Sequence, residues 1–122
     1  MTDSKLVDSS VWIEYLFNGS CKEIIESHEM LLISALSLFE IKKKLIKNNI
    51  EENKIKTSME FIRKKSLVIE LNDEIAEKAV EVSIKHELPI IDSLIYTTAI
   101  LHHADLITLN NDFRGLKDVL VL

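Results

Sequence analysis

Short apolar runs alternate with helical patterns along the whole chain, and this alternation limits the possible folds more than any other feature of the sequence. Strands that are separated by helices favour right-handed crossover connections, which build a parallel sheet. A parallel sheet is normally covered by helices on both faces. The runs predict strands over residues 5–8, 30–34, 67–70, 105–108 and 119–122.

Helical periodicity and helix end signals predict the segments between these strands. Asn18 and Gly19 end a first helix, and Asn72 caps a later one. The segment 90–103 is apolar on nearly every side, so we expect it to lie deep in the domain. The predicted fold class is α/β, a single domain over 1–122 with a parallel β-sheet flanked by helices on both faces. The other helices are predicted over 9–17, 21–28, 36–47 and 51–65.

The composition excludes several classes of protein. With 47% hydrophobic and 29% charged residues, 2 Gly and 1 Pro, the chain is neither disordered nor loop-dominated. Its single cysteine, Cys21, cannot form an intramolecular disulfide. The net charge of -5 argues against nucleic-acid binding through bulk positive charge. We find no signal-peptide pattern and no apolar stretch of membrane length, so we expect a cytoplasmic protein that binds no membrane.

Four carboxylates follow the predicted strands or lie among apolar residues. Parallel sheets bind ligands beyond the carboxyl ends of their strands. Burying an ionised carboxylate is costly unless it is paired or binds a metal, and no arginine is near Glu40 or Asp92 in the sequence. A divalent cation such as Mg²⁺ would compensate several carboxylates at once. The four candidates are Asp8 at the end of the first strand, Glu40 in the helix after the second, Asp92 at the start of the apolar helix and Asp112 after the fourth strand.

Each of these acids also has a purely structural interpretation. Asp8 can cap the helix that follows it, and Glu40 can pair with Lys44 one helical turn later. Asp92 can complement the dipole at a helix N-terminus, and Asp112 can belong to a polar turn. Taken singly, these interpretations are favoured because surface acids are common. Four acids at one edge of the sheet weaken them jointly.

The motifs around these acids resemble those of PIN domains, the small metal-dependent ribonuclease fold. The similar segments stand in the same order and span nearly the whole chain: LVDSSV at 6–11, ISALSLFEI at 33–41, LPIIDSLI at 88–95 and LITLNNDF at 106–113. By this resemblance the principal metal-binding acids are Asp8, Glu40 and Asp92, with Asp112 as a fourth and with Ser9 and Thr108 as polar neighbours.

One position departs from the family pattern. Asn110 stands where many PIN domains have an aspartate, which removes one formal negative charge. An amide oxygen still binds a hard cation, but more weakly than a carboxylate. The number of metal ions therefore stays open, and more weight falls on Asp112.

A stand-alone PIN domain of this length resembles the toxin of a VapBC-type toxin–antitoxin pair. The resemblance implies an endoribonuclease that depends on Mg²⁺ or Mn²⁺ and hydrolyses RNA phosphodiester bonds with a metal-activated water. It also implies a homodimer that is silenced by a small VapB-like antitoxin, itself a DNA-binding protein.

Two surface features are candidates for binding these partners. Lysines 42–44 and Lys47 lie near Glu40, where they either guide the RNA backbone or form an ordinary solvated face. The first helix carries four large apolar or aromatic residues, of which we expect at least two to pack in the core. The others are candidates for the edge of an antitoxin-binding groove. These four are Trp12, Tyr15, Leu16 and Phe17.

Two other functions compete with the active ribonuclease. Asn110 is compatible with a catalytically weakened PIN module that only binds RNA or a protein. A receiver-type signalling domain also has a parallel sheet and an acid after its first strand, but it requires an acidic pair before that phospho-accepting acid and a lysine near the last strand. Asp3 is the only earlier acid and is too close to the start of the chain, so this function is disfavoured.

Overall fold

The structure is a computed structural model that describes residues 4–122, so Asp3 lies outside the described residues. The strands are β1 (Ser4–Val7), β2 (Leu31–Ser34), β3 (Ser66–Ile69), β4 (Ala104–Thr108) and β5 (Val119–Val121). The helices are α1 (Ser9–Asn18), α2 (Lys22–Ile25), α3 (Ala35–Lys47), α4 (Glu52–Lys65), α5 (Asp73–His86) and α6 (Ile90–Leu101), with a 3-10 turn at Asn111–Phe113.

The strands form one parallel sheet in the order β3-β2-β1-β4-β5. Leu6 in β1 pairs with Leu32 in β2 on one side and with Leu106 in β4 on the other. From β1 the chain builds outward through β2 to β3, and it then returns to place β4 and β5 on the other side. The strand order therefore reverses between β1 and β4, which is where open parallel sheets bind their ligands.

Alternation along the strands divides the core between the two faces of the sheet, because successive side chains point in opposite directions. In β1, Val7 packs with buried residues of α1 to α4, while Leu6 packs with buried residues of α6. Ile107 and Leu106 in β4 divide in the same way. Helices thus cover both faces, and the predicted α/β class is confirmed.

Local signals end and begin the helices where the sequence predicted. Gly19 has a φ of 70°, and its backbone N–H donates to the Tyr15 carbonyl, so it closes α1 in the left-handed conformation that glycine tolerates. Asn72 caps α5 by accepting a hydrogen bond from the Ile75 N–H. Ser34 caps α3 in the same way by accepting from the Leu36 N–H.

The structure differs from the sequence predictions mainly at α2, at the start of β2 and along α6, besides shifts of one residue at other ends such as that of β1, which stops at Val7 before Asp8. The helix predicted over 21–28 is the short α2, and Met30 is exposed and precedes β2. The prediction that 90–103 lies deep in the domain is wrong at both ends. Ile90 is 76% exposed and Ile100 is 36% exposed, because only the middle of α6 faces the sheet and α5.

Across residues 4–122, every helix falls short of the length and apolar content that a membrane span requires.

Candidate functional site

Asp8 is the residue directly after β1, and its side chain is turned into the sheet edge. Only 5% of the residue is exposed. Its Oδ2 accepts hydrogen bonds from Ser10 Oγ at 2.9 Å and from Thr108 Oγ1 at 2.8 Å. Although Asp8 occupies the N-cap position of α1, its side chain makes no capping hydrogen bond. The helix-cap interpretation therefore does not describe what this carboxylate does.

Glu40 reaches the same edge from the second turn of α3. Ser9 Oγ donates to Glu40 Oε1 at 3.0 Å, which connects the start of α1 to α3. Burial raises the pKa of Glu40 above its ordinary value, and the charges of Asp8 and Asp92 raise it further, against the opposing effect of the Ser9 hydrogen bond. No ion pair with Lys44 is present among the described residues, so the surface-pair interpretation is not supported.

Asp92 lies in the first turn of α6 and is half-buried. Burial raises its pKa, and the charges of Asp8 and Asp112 raise it further. The side-chain amide of Asn110 donates to Asp92 Oδ2 at 3.4 Å and opposes these effects. The negative charges of neighbouring acids therefore act on Asp92, which also lies at the N-terminus of α6.

Asp112 is the most exposed of the four predicted acids. It lies in the 3-10 turn after β4, and its backbone N–H donates to Asn110 Oδ1 at 3.0 Å. The negative charge of Asp112 contributes to the raised pKa of Asp92. The structure thus brings Asp8, Glu40 and Asp92 together as mutually repelling carboxylates and adds Asp112 at the rim, beside Asp92.

Hydroxyl groups at the ends of β1 and β4 hold the centre of this site. Ser10 was not singled out from the sequence, yet its Oγ donates to Asp8 and accepts from the Leu109 N–H at 3.0 Å. Thr108 Oγ1 likewise accepts from the Asn110 N–H at 2.9 Å. The only signal for Ser10 in the sequence was a hydroxyl two positions after a carboxylate at a strand end.

The chemistry of the site is that of hard oxygen donors without a cationic partner. Between the described residues, the ion pair present joins Lys5 and Glu29, and no Lys or Arg pairs with the four acids. No three Asp, Glu, His or Cys side chains from 4–122 are close enough to enclose a metal ion by themselves. The four acids therefore form a loose group of oxygen donors, and not a closed metal-ligand cluster, among the described residues.

A cleft of about 480 Å³ opens beside Glu40. Its lining includes Ser9 from α1 and, from α3, Glu40 together with three lysines. Acidic and basic side chains therefore line one continuous space. The lining residues are Ser9, Ile13, Leu36, Phe39, Glu40, Lys43, Lys44, Lys47 and Ile91.

The aromatic residues of α1 divide between the core and the surface. Trp12 is fully buried and makes edge-to-face contacts with Tyr15 and with Phe61 of α4. Tyr15 stacks on Phe61, with ring centroids 6.1 Å apart. Leu16 also packs against the core, whereas Phe17 is exposed. The prediction that at least two of these four residues serve the core is confirmed.

The family model of the PIN domain matches residues 5–119. No curated protein sequence matches this chain closely enough to be significant.

Solved structures share the fold across almost the whole chain. The protein in a toxin–antitoxin complex from Klebsiella pneumoniae is 24% identical, with a TM-score of 0.79 and 97% of each chain covered. A chain of VapBC2 from Rickettsia felis, bound to a DNA fragment from its promoter, is 15% identical, with a TM-score of 0.77 and coverage of 97% and 96%. The sarcin-ricin loop cleaving toxin VapC20 of Mycobacterium tuberculosis is 16% identical, with a TM-score of 0.75 and coverage of 95% and 97%.

Proposed function

The chain belongs to the PIN domain family, and we propose that it is a metal-dependent endoribonuclease that acts in the cytoplasm as the toxin of a toxin–antitoxin pair. One observation carries the proposal. Asp8, Glu40 and Asp92 converge where the strand order reverses, with Asp112 beside them, and no Lys or Arg within residues 4–122 forms an ion pair with them. The likeness to a toxin that cleaves the sarcin-ricin loop of RNA supports the choice of RNA as substrate.

We propose Mg²⁺ or Mn²⁺ as the cofactor, with the three central acids and Asp112 as its candidate ligands. Because no three described acids are close enough to enclose an ion by themselves, waters would complete its coordination shell. Hard divalent cations prefer carboxylate oxygens, and the mutual repulsion of these acids is what such an ion would relieve. When bound, the ion supplies polarisation of the phosphoryl oxygens and a lowered pKa for water. We propose no other cofactor.

The residues of the chain itself orient the acids. The hydroxyls of Ser10 and Thr108 both donate to Asp8 Oδ2 and so fix the plane of that carboxylate. Ser9 Oγ donates one hydrogen bond to Glu40 Oε1 and so restrains the Glu40 carboxylate. These hydroxyl groups come from α1 and β4, whose positions are set by the buried core. Such outer contacts keep metal ligands in a productive geometry.

The cleft beside Glu40 is the path that we propose for the RNA backbone. Lys43, Lys44 and Lys47 line it together with Glu40. Phosphate contacts by lysine position a nucleic acid without reading its sequence. This arrangement also explains how a protein with a net negative charge could bind RNA. The negative charge is concentrated at the proposed catalytic edge, whereas the adjoining face of α3 is basic.

A groove between α3 and α4 is the surface that we propose for a VapB-like antitoxin. The groove has a volume of about 430 Å³ and is lined by apolar side chains of both helices. Its rim is basic and is formed by Lys42, Lys43, Lys47 and Arg63. Phe39 in this lining is 67% exposed. An amphipathic partner segment with acidic residues along one edge would cover the apolar surface and pair with the rim. The toxin–antitoxin assemblies among the similar structures support such a partner.

A second apolar groove, between α5 and α6, is the surface that we propose for a homodimer. Ile84 is 75% exposed and Ile90 is 76% exposed there, and none of the described residues that line this groove of about 200 Å³ is charged. A two-fold interface places the same patch of two copies face to face. The uncharged α5–α6 groove can meet a copy of itself, whereas the basic rim of the α3–α4 groove would repel its own copy.

A weakened PIN module that only binds RNA or protein is the second candidate, and Asn110 favours it. Cleavage assays on structured RNA with Mg²⁺, with Mn²⁺ and with EDTA distinguish the two functions. We expect cleavage with either ion, none with EDTA, and a loss of roughly 100-fold or more in Asp8→Asn and Asp92→Asn. Full activity in those variants would contradict the metal site, and RNA binding without cleavage under any ion would favour the weakened module.

A further inference from the structure

Asn110 connects three parts of the acidic site through three hydrogen bonds. Its backbone N–H donates to Thr108 Oγ1 at 2.9 Å, which ties it to the end of β4. Its Oδ1 accepts from the Asp112 N–H at 3.0 Å and so caps the 3-10 turn. Its Nδ2 donates to Asp92 Oδ2 at 3.4 Å. The residue thus touches two of the four acids and the threonine that orients a third.

The orientation of the Asn110 side chain follows from these contacts. Because Oδ1 accepts from a backbone N–H, the amide nitrogen is the atom that faces Asp92. An aspartate at this position could still cap the turn, since a carboxylate oxygen also accepts from the Asp112 N–H. It could not donate to Asp92 and would instead bring two carboxylates together. The cap alone therefore does not explain why the residue is an amide.

We propose that Asn110 is a positioning residue that holds Asp92 and the turn carrying Asp112 in place while no cation is bound. The inference rests on the proposed function, because it treats these acids as the cation site. An amide donor at this point restrains one carboxylate without adding a further negative charge. The site therefore keeps its arrangement at a lower cost in repulsion and depends less on the cation for its stability.

The first test compares Asn110→Asp with Asn111→Asp by thermal unfolding in EDTA at neutral pH. The two variants make the same charge change one residue apart, but Asn111 is exposed and its Oδ1 accepts from the Arg114 guanidinium instead. We expect the melting temperature of Asn110→Asp to fall by roughly 2–5 °C and that of Asn111→Asp to stay within about 1 °C. Equal melting temperatures for both variants would overturn the proposal.

A double-mutant cycle with Asp92 separates positioning from a general structural role. If the loss in Asn110→Asp comes from carboxylate repulsion, it should disappear when Asp92→Asn is also present. If it persists unchanged in that background, the proposal is wrong. Asn110→Ser keeps an acceptor for the turn but cannot reach Asp92, so it should lower the melting temperature less than Asn110→Asp. This variant replaces Asn110→Asp in the cycle if the aspartate variant does not fold.

Cation addition provides a second readout. Saturating Mn²⁺ should raise the melting temperature of Asn110→Asp more than that of the unchanged chain, because the ion relieves the additional repulsion. An equal rise in both would overturn the proposal. The EDTA measurements need neither metal nor RNA, so they decide the role of Asn110 even if the unchanged chain fails to cleave RNA, which would contradict only the proposed function.

Discussion

Thr108 Oγ1 donates a 2.8 Å hydrogen bond to Asp8 Oδ2 and joins the carboxyl ends of β4 and β1. The two residues are 100 positions apart in the chain, and both are buried. Parallel pairing of Val7 with Ile107 brings them together, because Asp8 directly follows Val7 and Thr108 directly follows Ile107. The central carboxylate of the site is thus held by the sheet itself.

Replacing Thr108 with valine should test this relationship. The substitution keeps the side-chain shape but removes the donor, so we expect a loss of about 1 kcal/mol in the free energy of unfolding. Loss of a contact that orients Asp8, a proposed metal ligand, should reduce RNA cleavage by roughly 10-fold or more. Thr108→Ser keeps the donor and should retain most of the activity. Equal cleavage by the valine and serine variants would contradict a role in orienting Asp8.

The acids of the site could be predicted from the sequence, whereas the residues that hydrogen-bond to them, such as Ser10, could not. The strand pattern placed Asp8 at the end of the first strand, and the order of motifs placed Glu40, Asp92 and Asp112 at the same edge of the sheet, because strand ends are encoded locally. The role of Ser10 depends on Leu109, a residue 99 positions away. A contact of this kind appears only after the strands have paired, so no local pattern could reveal it.

The exposure of α6 was missed for a related reason. Apolar residues on nearly every side of the segment indicated a deeply buried helix, but Ile90 is 76% exposed and Ile100 is 36% exposed. Hydrophobic composition cannot distinguish burial inside a domain from a surface intended for a second molecule. We propose the second explanation for Ile90, since it lines the uncharged groove between α5 and α6.

The metal-free protein should become less stable as the pH rises through the acidic range. Burial and neighbouring carboxylates raise the pKa of Glu40 and of Asp92 in the folded chain. Between the ordinary and the raised pKa the folded chain binds more protons than the unfolded chain, so the free energy of unfolding falls with increasing pH. Above this window the loss is complete, which a series of thermal melts in EDTA would detect.

Neutralising either of these two acids should therefore stabilise the metal-free protein at neutral pH while abolishing activity. We expect Glu40→Gln and Asp92→Asn to raise the melting temperature in EDTA by a few degrees, about 1 kcal/mol or less after solvent screening. Glu77→Gln, which removes an exposed charge on α5 outside the site, is the control and should change little. Lower melting temperatures for both site variants would refute the repulsion described above.

Two serines close together near the start of α3 should respond in opposite ways to alanine. Ser37 Oγ is fully buried and has no hydrogen-bond partner among the described residues, so Ser37→Ala should stabilise the fold by roughly 0.5–1 kcal/mol. Ser34 caps the helix, and Ser34→Ala should cost about 1 kcal/mol. Urea unfolding measures both changes. If Ser37→Ala destabilised the fold as much as Ser34→Ala, Ser37 Oγ would have to make a hydrogen bond that this structure does not contain.

The lysines of the cleft should affect the binding of RNA more than its cleavage. We expect the double variant Lys43→Ala and Lys44→Ala to raise KM roughly 5-fold, to leave kcat nearly unchanged and to weaken the dependence of binding on salt. The matched control removes Lys78 and Lys85 from α5, which do not line the cleft. If both double variants behave alike, the cleft does not guide the RNA backbone.

The two proposed protein surfaces should separate by mutation. Ile84→Asp places a charge in the uncharged groove and should convert a homodimer to a monomer in light-scattering measurements, because the charge would face its own copy across the two-fold axis. Lys42→Glu reverses a charge on the rim of the α3–α4 groove and should leave the dimer intact. A dimer that survives Ile84→Asp, or that dissociates only with Lys42→Glu, would contradict this assignment.

Direct titration with Mn²⁺, followed by electron paramagnetic resonance of the free ion, tests the central claim that the clustered acids bind a divalent cation. The unchanged chain should bind Mn²⁺ in competition with Mg²⁺. Asp8→Asn, Glu40→Gln and Asp92→Asn should each weaken binding by at least roughly 10-fold, whereas Glu77→Gln should bind as the unchanged chain does. Binding that is unaffected by all three site variants would contradict the account.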